Sequence, residues 1–226
     1  ASYTAQEFNL LNDLNNLTVP TETKKLSEEQ KNKIITYVKN EKAMGPAKLF
    51  KYIAKLLSCD VADIKGYRID KSDKAEIHTF EAYRKMKTLE TLDIEQMDRE
   101  TLDKLAYVLT LNTEREGIQE ALEHEFADGT FSQKQVDELV QFRKANSSIF
   151  GKGWHNFSVK LMMELIPELY ETSEEQMTIL TRLGKQKTTS SSNKTKYIDE
   201  KLLTEEIYNP VVAKSVRQAI KIVNAA

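Results

Sequence analysis

Residue types that break helices or cross-link small folds are scarce in this 226-residue sequence, which has seven Gly, four Pro and one Cys. Few Gly and Pro favour helices over turn-rich β architectures, so an all-α fold is the leading expectation. Because Cys59 stands alone, an internal disulfide and a zinc site built on several cysteines are excluded. The sequence also lacks an apolar run long enough to cross a bilayer, and residues 1–6 lack the pattern of a signal peptide. These absences predict a protein of the reducing cytoplasm with no membrane partner.

An excess of charge of one sign is also absent, because 33 basic and 35 acidic residues give a formal net charge of -2. Phosphate binding depends on clustered Lys and Arg. A surface that binds nucleic acid on all sides is therefore excluded, and any such binding must be confined to one face. The alternative that stays open is a near-neutral helical scaffold for protein interactions, with its charges in solvent.

Capping patterns and apolar residues at spacings of three and four predict many short helices. Thr4 with Glu7 forms a capping box for a first helix that runs to about Leu17. Ser-x-x-Gln patterns at Ser27, Ser132 and Ser173 begin further helices. Pro167 is expected to kink or end the helix that contains it. The further helices are expected near 27–38, 46–57, 78–89, 99–111, 114–126, 132–142, 158–170, 173–184, 199–207 and 210–226. The expected fold is an all-α, multi-helix structure with no substantial β-sheet.

One segment, KQKTTSSSNKTK at 185–196, has no apolar residue and is expected to be a flexible linker or exposed loop. It separates helical parts expected at 1–66 and 67–184 from a last helical part at 197–226. The helical pattern still continues at Ala226, which indicates an excised fragment of a longer protein.

Patterns that would indicate catalysis or a metal are weak. The segment His124 to Gln135 has Asp128-Gly129 where a calcium loop needs an acid and a glycine, but other ligand positions lack carboxylates. The three histidines are scattered, which favours surface or packing roles. No Gly-rich phosphate loop or nucleophile motif is present. The sequence therefore predicts no metal, no cofactor and no catalytic residue in this chain.

A second alternative, a helix-turn-helix regulator, comes from the segment Ile34 to Arg68, which resembles a helix, a turn and a second helix followed by KGYR. A recognition helix should present several base-reading polar side chains to the major groove. Here Asp60 and Asp63 would repel phosphate instead. A helical hairpin packed into a larger unit is the favoured interpretation.

Four separated segments carry a more specific signal: LLNDLNNL at 10–17, DIKGYR at 63–68, GKGWHNFSVK at 151–160 and NPVVAKSVRQAIKIVN at 209–224. In order and spacing they resemble the recognition lobe of compact type II-A and II-C CRISPR-associated RNA-guided DNA endonucleases. The last segment is similar to the helix that leads into the second part of the split RuvC nuclease domain. The resemblance implies that the RuvC and HNH catalytic groups, and the Mg²⁺ expected for them, lie outside this chain.

The same resemblance implies which residues contact nucleic acid. The guanidinium of Arg68 would bind a backbone phosphate through two parallel hydrogen bonds. Gly153 would let the nucleic acid backbone approach closely, and Asn156 would donate from its amide. The other implied contact residues are Lys65, Tyr67, Trp154, Gln176, Thr181 and Tyr208. Phe8 stands where a relative has tyrosine, so only packing is expected there.

The function that the resemblance implies is to hold the heteroduplex of guide RNA and target DNA, in which base pairing reads the sequence and the protein reads backbone and shape. The implied partners are the guide RNA, the target DNA and the rest of the endonuclease chain. A phage-encoded anti-CRISPR protein is a candidate further partner. The rivals from other classes remain the helical scaffold and the helix-turn-helix regulator.

Overall fold

The computed structural model describes residues 2–127, 129–150, 155–185 and 210–225. In this part of the chain the α-helices are α1 (Tyr3–Asn16), α2 (Glu28–Asn40), α3 (Pro46–Leu57), α4 (Glu81–Met86), α5 (Arg99–Leu111), α6 (Arg115–Glu125), α7 (Gln133–Ala145), α8 (Ser147–Phe150), α9 (Val159–Glu171), α10 (Gln176–Arg182) and α11 (Pro210–Ala225). Short 3-10 helices lie at Val61–Asp63 and Ile94–Gln96. The strands described are β1 (Arg68–Ile69) and β2 (Ala75–Glu76), which form one antiparallel hairpin. The expected all-α fold is confirmed.

The starts of several helices follow from local side-chain chemistry. Ser27 and Ser132 each accept a hydrogen bond from the backbone N–H three residues further on, and the glutamine there accepts from the serine N–H in return. These capping boxes satisfy backbone donors that a helix leaves unpaired, and both are as predicted. Pro46 opens α3 at its first position, where the missing N–H costs nothing.

The predicted capping box of Thr4 and Glu7 is wrong. The cap of α1 is Ser2, whose side chain accepts from the N–H of Ala5 at 3.2 Å. Thr4 lies inside α1 with its side chain buried, and its hydroxyl donates to the carboxylate of Asp103 on α5 at 2.5 Å. A contact between two helices thus takes the hydroxyl that the local pattern assigned to a cap.

Predictions for α10 and α9 have different outcomes. Glu175, not Ser173, precedes α10, so the capping box expected at Ser173 is wrong. Of the two effects expected of Pro167, an end of the helix is excluded, because α9 continues to Glu171, and a kink stays a prediction. Proline removes an N–H, and the carbonyl that loses this partner belongs to Met163. Since Met163 and Pro167 are both exposed, water can satisfy that carbonyl.

The helix expected over 78–89 is reduced to α4. Phe80, immediately before it, has a left-handed backbone with φ 51°, and a helix cannot continue through such a residue. The polar stretch upstream forms the hairpin, in which Arg68 pairs with Glu76 and Ile69 with Ala75. This hairpin and the extended segment after it place Arg68 beside α1.

Helix α1 lies at the centre of a compact unit that ends at Gly184. It packs against α2, α4, α5 and α9. Its apolar side chains Phe8, Leu10, Leu11 and Leu14 are fully buried and point to several sides of the helix. Each such burial contributes roughly 1.5–3 kcal/mol. The domain boundary expected at residue 66 falls inside this unit.

A buried lysine fixes the end of α9. Lys31 of α2 is 1% exposed, and its ammonium donates to the carbonyls of Leu169 (2.8 Å), Tyr170 (3.1 Å) and Thr172. Burial lowers the pKa of Lys31 to about 8. The negative end of the α9 dipole, where these carbonyls lie, stabilises the cation. Asn15 of α1 donates to the Leu169 carbonyl as well (3.0 Å).

The second compact unit begins at Lys185, and its described residues are Lys185 and those of α11. Ile222 and Val223 of α11 are exposed, whereas Ile220 is buried. Apart from Lys185, which is exposed, the expected linker at 185–196 lies outside the described residues, as does the helix expected at 199–207. Among the helices that the structure describes, none is long and apolar enough to span a membrane.

Candidate nucleic-acid interface

A polar stripe runs along α1, the helix whose other sides are buried. It consists of Asn9, Asn12, Asp13 and Asn16, which follow one another at spacings of three, one and three residues. Such spacings place side chains on one side of a helix. Asn9, Asn12 and Asp13 each contact a different segment of the chain, and the backbone of Asn16 lies beside the same segment as Asp13. These segments contain most of the residues implied to bind nucleic acid. The stripe therefore sets the positions of the candidate interface.

Asp13 holds Arg68 and His78. The Asp13 carboxylate is only 9% exposed, and its Oδ1 lies 3.2 Å from Nη2 of Arg68. Its Oδ2 accepts from the backbone N–H of His78 (2.8 Å) and lies 2.7 Å from the ring Nδ1. Nη1 of Arg68 also lies 3.6 Å from the Glu76 carboxylate. About half of the Arg68 side chain is exposed (49%), so its guanidinium is accessible to a ligand but already faces two acids.

The KGYR segment is fixed to the end of α1 by backbone contacts. Thr18 and Lys65 form an isolated antiparallel bridge, with N–H to carbonyl distances of 2.8 and 2.9 Å. Gly66 follows with φ +83°, and a Cβ added there would lie 2.4 Å from the carbonyl oxygen of Asn16. Only glycine fits this close approach without a shift of the backbone. Tyr67 packs its ring on Phe50, with 4.9 Å between the ring centroids.

We expect Gly66→Ala to lower the free energy of unfolding by about 2–4 kcal/mol, because the added methyl group meets backbone and the φ is unfavourable. Gly129→Ala is the matched control, since Gly129 also has a positive φ (+79°) but nothing within 4 Å of an added Cβ. It should cost only about 1 kcal/mol. Urea denaturation of both variants measures the difference, and equal losses would contradict a steric role for the Gly66 contact.

The second segment on the stripe contains His155 and Asn156. His155 Nε2 lies 2.9 Å from Oδ1 of Asn9, and its Nδ1 accepts from the backbone N–H of Phe157 at 3.0 Å. Burial, followed by the nearby His78, lowers the pKa of His155. Both ring nitrogens of this neutral imidazole are thus hydrogen-bonded, and the two bonds fix the loop. Asn156, next in the chain, is exposed.

The third segment is the start of α10. The N–H of Gln176 donates to Oδ1 of Asn12 at 2.8 Å, so Asn12 caps this helix from another part of the chain. The Gln176 side chain is half-buried and Thr181 is exposed; the Thr181 hydroxyl donates to the Met177 carbonyl at 2.7 Å. Asn15 supports the same turn by donating to the Glu174 carbonyl (2.7 Å).

A cavity of about 420 Å³ opens between the first two segments. Its polar lining side chains are those of Gln6, Asn9, Arg68, Glu76, His78, Thr79, Glu81 and His155. Arg68 is the one Lys or Arg in this lining, against two glutamates. In the described parts of the chain, no group of three or more His, Cys, Asp or Glu side chains could hold a metal ion.

The structure thus places Lys65, Tyr67 and Arg68, then Asn156, and then Gln176 and Thr181 in three segments that meet at α1. Gly153, Trp154 and Tyr208 lie outside the described residues. Sequence reasoning missed five side chains that organise the interface: Asn9, Asn12, Asp13, His78 and His155. The available signal was the three- and four-residue spacing of polar residues within an otherwise apolar helix, which is unusual for a helix at the centre of a unit.

The sequence is similar to known proteins along nearly the whole chain. The chain is 98% identical over 226 residues, all of its length, to CRISPR-associated endonuclease Cas9 1 of Streptococcus thermophilus, and covers 20% of that protein. It is 31% identical over 225 residues to CRISPR-associated endonuclease Cas9 of Staphylococcus aureus, again covering 20%. The chain therefore spans about a fifth of the length of the curated relatives it matches. No family model matches the chain.

Solved structures agree with these sequence matches. A crystal structure of Streptococcus thermophilus Cas9 in complex with the GGAA PAM has a TM-score of 0.80 and 92% identity, over 100% of this chain and 20% of that one. A cryo-EM structure of the St1Cas9–sgRNA–AcrIIA6–tDNA59-ntPAM complex has a TM-score of 0.78 and 94% identity, over 99% of this chain and 26% of that one. The likeness holds for both sequence and fold.

Proposed function

We propose that the chain is a helical part of the recognition lobe of a type II CRISPR-associated endonuclease. Its resemblance to these endonucleases is confirmed by its match to Cas9 proteins over nearly its whole length. In this role it holds the heteroduplex of guide RNA and target DNA through backbone and shape contacts. It thereby helps to license cleavage that is performed elsewhere in the protein. Base pairing, not this chain, reads the target sequence.

The observation that carries the proposal is the polar stripe of α1. It brings together the KGYR segment, the loop with Asn156 and the start of α10, all of which the resemblance assigns to the heteroduplex. Arg68 and Asn156 are exposed donors on two of these segments. Contacts to phosphate set register and orientation on a nucleic acid, and a single buried helix keeps the spacing of such contacts fixed.

The partners follow from the relatives. Solved structures of similar Cas9 proteins include sgRNA, tDNA59-ntPAM, PAM DNA and AcrIIA6. We extend these classes to this chain as guide RNA, target DNA, the rest of the endonuclease chain and an anti-CRISPR protein. Cleavage and its Mg²⁺ belong to the remaining four fifths of such a protein, and this chain contributes no catalytic group. The compartment is the cytoplasm. Gly153, Trp154 and Tyr208 are further contact candidates on the resemblance alone.

The test is a fluorescence anisotropy competition of an RNA–DNA hybrid against B-form duplex DNA at two salt concentrations. The hybrid should bind more tightly, because A-form geometry sets the spacing of the contacts. Arg68→Ala should weaken hybrid binding by about 1–3 kcal/mol. The logarithm of the binding constant should fall against the logarithm of salt with a slope of about -0.7 to -0.9 per phosphate neutralised.

Arg115→Ala is the matched control, since Arg115 is similarly exposed and paired with an acid, Asp137, away from the interface. It removes the same charge and should leave hybrid binding nearly unchanged. Binding that ignores salt, or that responds equally to both arginine variants, would favour the scaffold rival. Preference for one duplex DNA sequence would favour the helix-turn-helix regulator.

A further inference from the structure

The ring of His78 has one nitrogen fixed, and no group among the described residues binds the other. Nδ1 lies 2.7 Å from Oδ2 of Asp13, a distance that requires a proton on Nδ1, since a carboxylate only accepts. Nη2 of Arg68 lies 3.1 Å from the same Nδ1 and cannot donate to it in that tautomer. None of the contacts that the structure gives His78 uses Nε2. Asp13 therefore holds the imidazole with Nε2 left for a ligand, in a ring that is 42% exposed.

The charges around His78 disfavour an anion while the ring is neutral. The groups that face it are Asp13 of α1, Arg68 and Glu76 of the hairpin, Glu81 of α4 and His155 of the loop before α9. Arg68 thus faces the carboxylates of Asp13 and Glu76 beside a neutral His155, while Glu81 also interacts with Arg84 of its own helix. A proton on Nε2 would add a positive charge and a hydrogen-bond donor, and the Asp13 carboxylate would stabilise the resulting imidazolium.

His155 cannot take this role. Its two nitrogens are occupied by Asn9 and by the backbone N–H of Phe157. A proton on Nδ1 would break the second of these hydrogen bonds. Within the described lining of the cavity, His78 is the titratable group that combines an acidic partner with an unused nitrogen.

We propose that His78 is a proton-coupled anion-binding group. Its Nε2 takes up a proton from solvent, and the resulting N–H donates a hydrogen bond, beside Arg68, to one phosphate of the bound nucleic acid. The inference rests on the proposed function and names the phosphate site within it. Protonated His78 and Arg68 together offset Asp13 and Glu76, so the phosphate enters a cavity with less negative charge. Binding of the heteroduplex should therefore be accompanied by uptake of up to one proton.

The first experiment measures hybrid affinity by anisotropy from pH 8.5 to 5.5 at constant ionic strength. Affinity should rise by about five- to tenfold as the pH falls, as expected for linkage to a single histidine. His78→Gln should abolish this rise, so that the affinity of the variant stays flat across the pH range. His124→Gln is the matched control, because His124 is 85% exposed at the end of α6, and it should keep the full pH dependence.

The second experiment needs no variant. Proton uptake on hybrid binding is measured by isothermal titration calorimetry in buffers of different ionisation enthalpy, and up to one proton should be taken up for each hybrid bound. Binding without proton uptake, or an unaltered pH dependence in a folded His78→Gln variant, would overturn the inference while hybrid binding itself stands. Failure of the hybrid to bind at any pH would instead remove the proposed function, and the inference with it.

Discussion

Replacing Phe8 by alanine should lower the free energy of unfolding by about 3–5 kcal/mol, the usual cost of emptying a large buried aromatic site. Phe8 is 0% exposed. Its ring packs edge-on against His155 (5.5 Å between centroids) and Phe157 (5.8 Å). The cavity left by the substitution therefore opens beneath the loop that carries Asn156. Urea denaturation gives the stability loss, and hybrid affinity should also fall among molecules that remain folded.

Leu139→Ala separates the two effects of the Phe8 change. Leu139 is equally buried (0%) on α7, which packs against α6 and α8, so its loss should cost about 2–5 kcal/mol with little effect on hybrid affinity once the folded fraction is taken into account. If Phe8→Ala and Leu139→Ala changed affinity alike, Phe8 would be a core residue without a role in placing the loop.

Lys31→Met should lower the free energy of unfolding by about 2–4 kcal/mol. Methionine fills a similar volume, but it cannot donate a hydrogen bond. The carbonyls of Leu169, Tyr170 and Thr172 therefore lose the hydrogen bond from the Lys31 ammonium. Buried acceptors without a partner cost about 1–3 kcal/mol each, although Asn15 still donates to Leu169. Thermal unfolding followed by circular dichroism measures the loss. The turn into α10 should also loosen, since these carbonyls immediately precede it.

Lys33→Met provides the control from the same helix. Lys33 is more than half exposed (53%) and pairs with Glu29 one turn earlier, an arrangement worth about 0.3–0.5 kcal/mol. Its removal should shift stability by no more than that. A Lys31→Met variant as stable as Lys33→Met would show that the buried ammonium offsets its own desolvation without net gain.

The helices were predictable where local chemistry decides them. The bounds of α5 and the capping boxes at Ser27 and Ser132 depend on residues within one turn of each other, and sequence reasoning found all three. The cap expected at Thr4 failed because Asp103, 99 positions away, binds its hydroxyl. Local rules contain no information about such a partner.

The candidate interface was predictable only through resemblance. Arg68 and Asn156 were named in advance, but the Asp13 carboxylate that holds Arg68 is 55 residues away from it in sequence. His78 carried no motif, and its importance rests on the orientation that Asp13 gives its ring. Contacts between segments that are distant in sequence determine which of the predicted residues share a surface. The spacing of residues in a single sequence does not reveal such contacts.

The geometry of α1 has a consequence for changes in chain length. A helix advances about 100° per residue, so inserting one residue between Asn9 and Asn12 would rotate the first half of the polar stripe away from the second. Asn9 would then leave His155, or Asn12 and Asp13 would leave Gln176 and Arg68. Because the buried side chains of Leu10, Leu11 and Leu14 occupy much of the rest of α1, the rotated half would turn its polar side chains toward apolar packing. The interface should therefore accept exchanges of individual side chains far more readily than any insertion or deletion within α1.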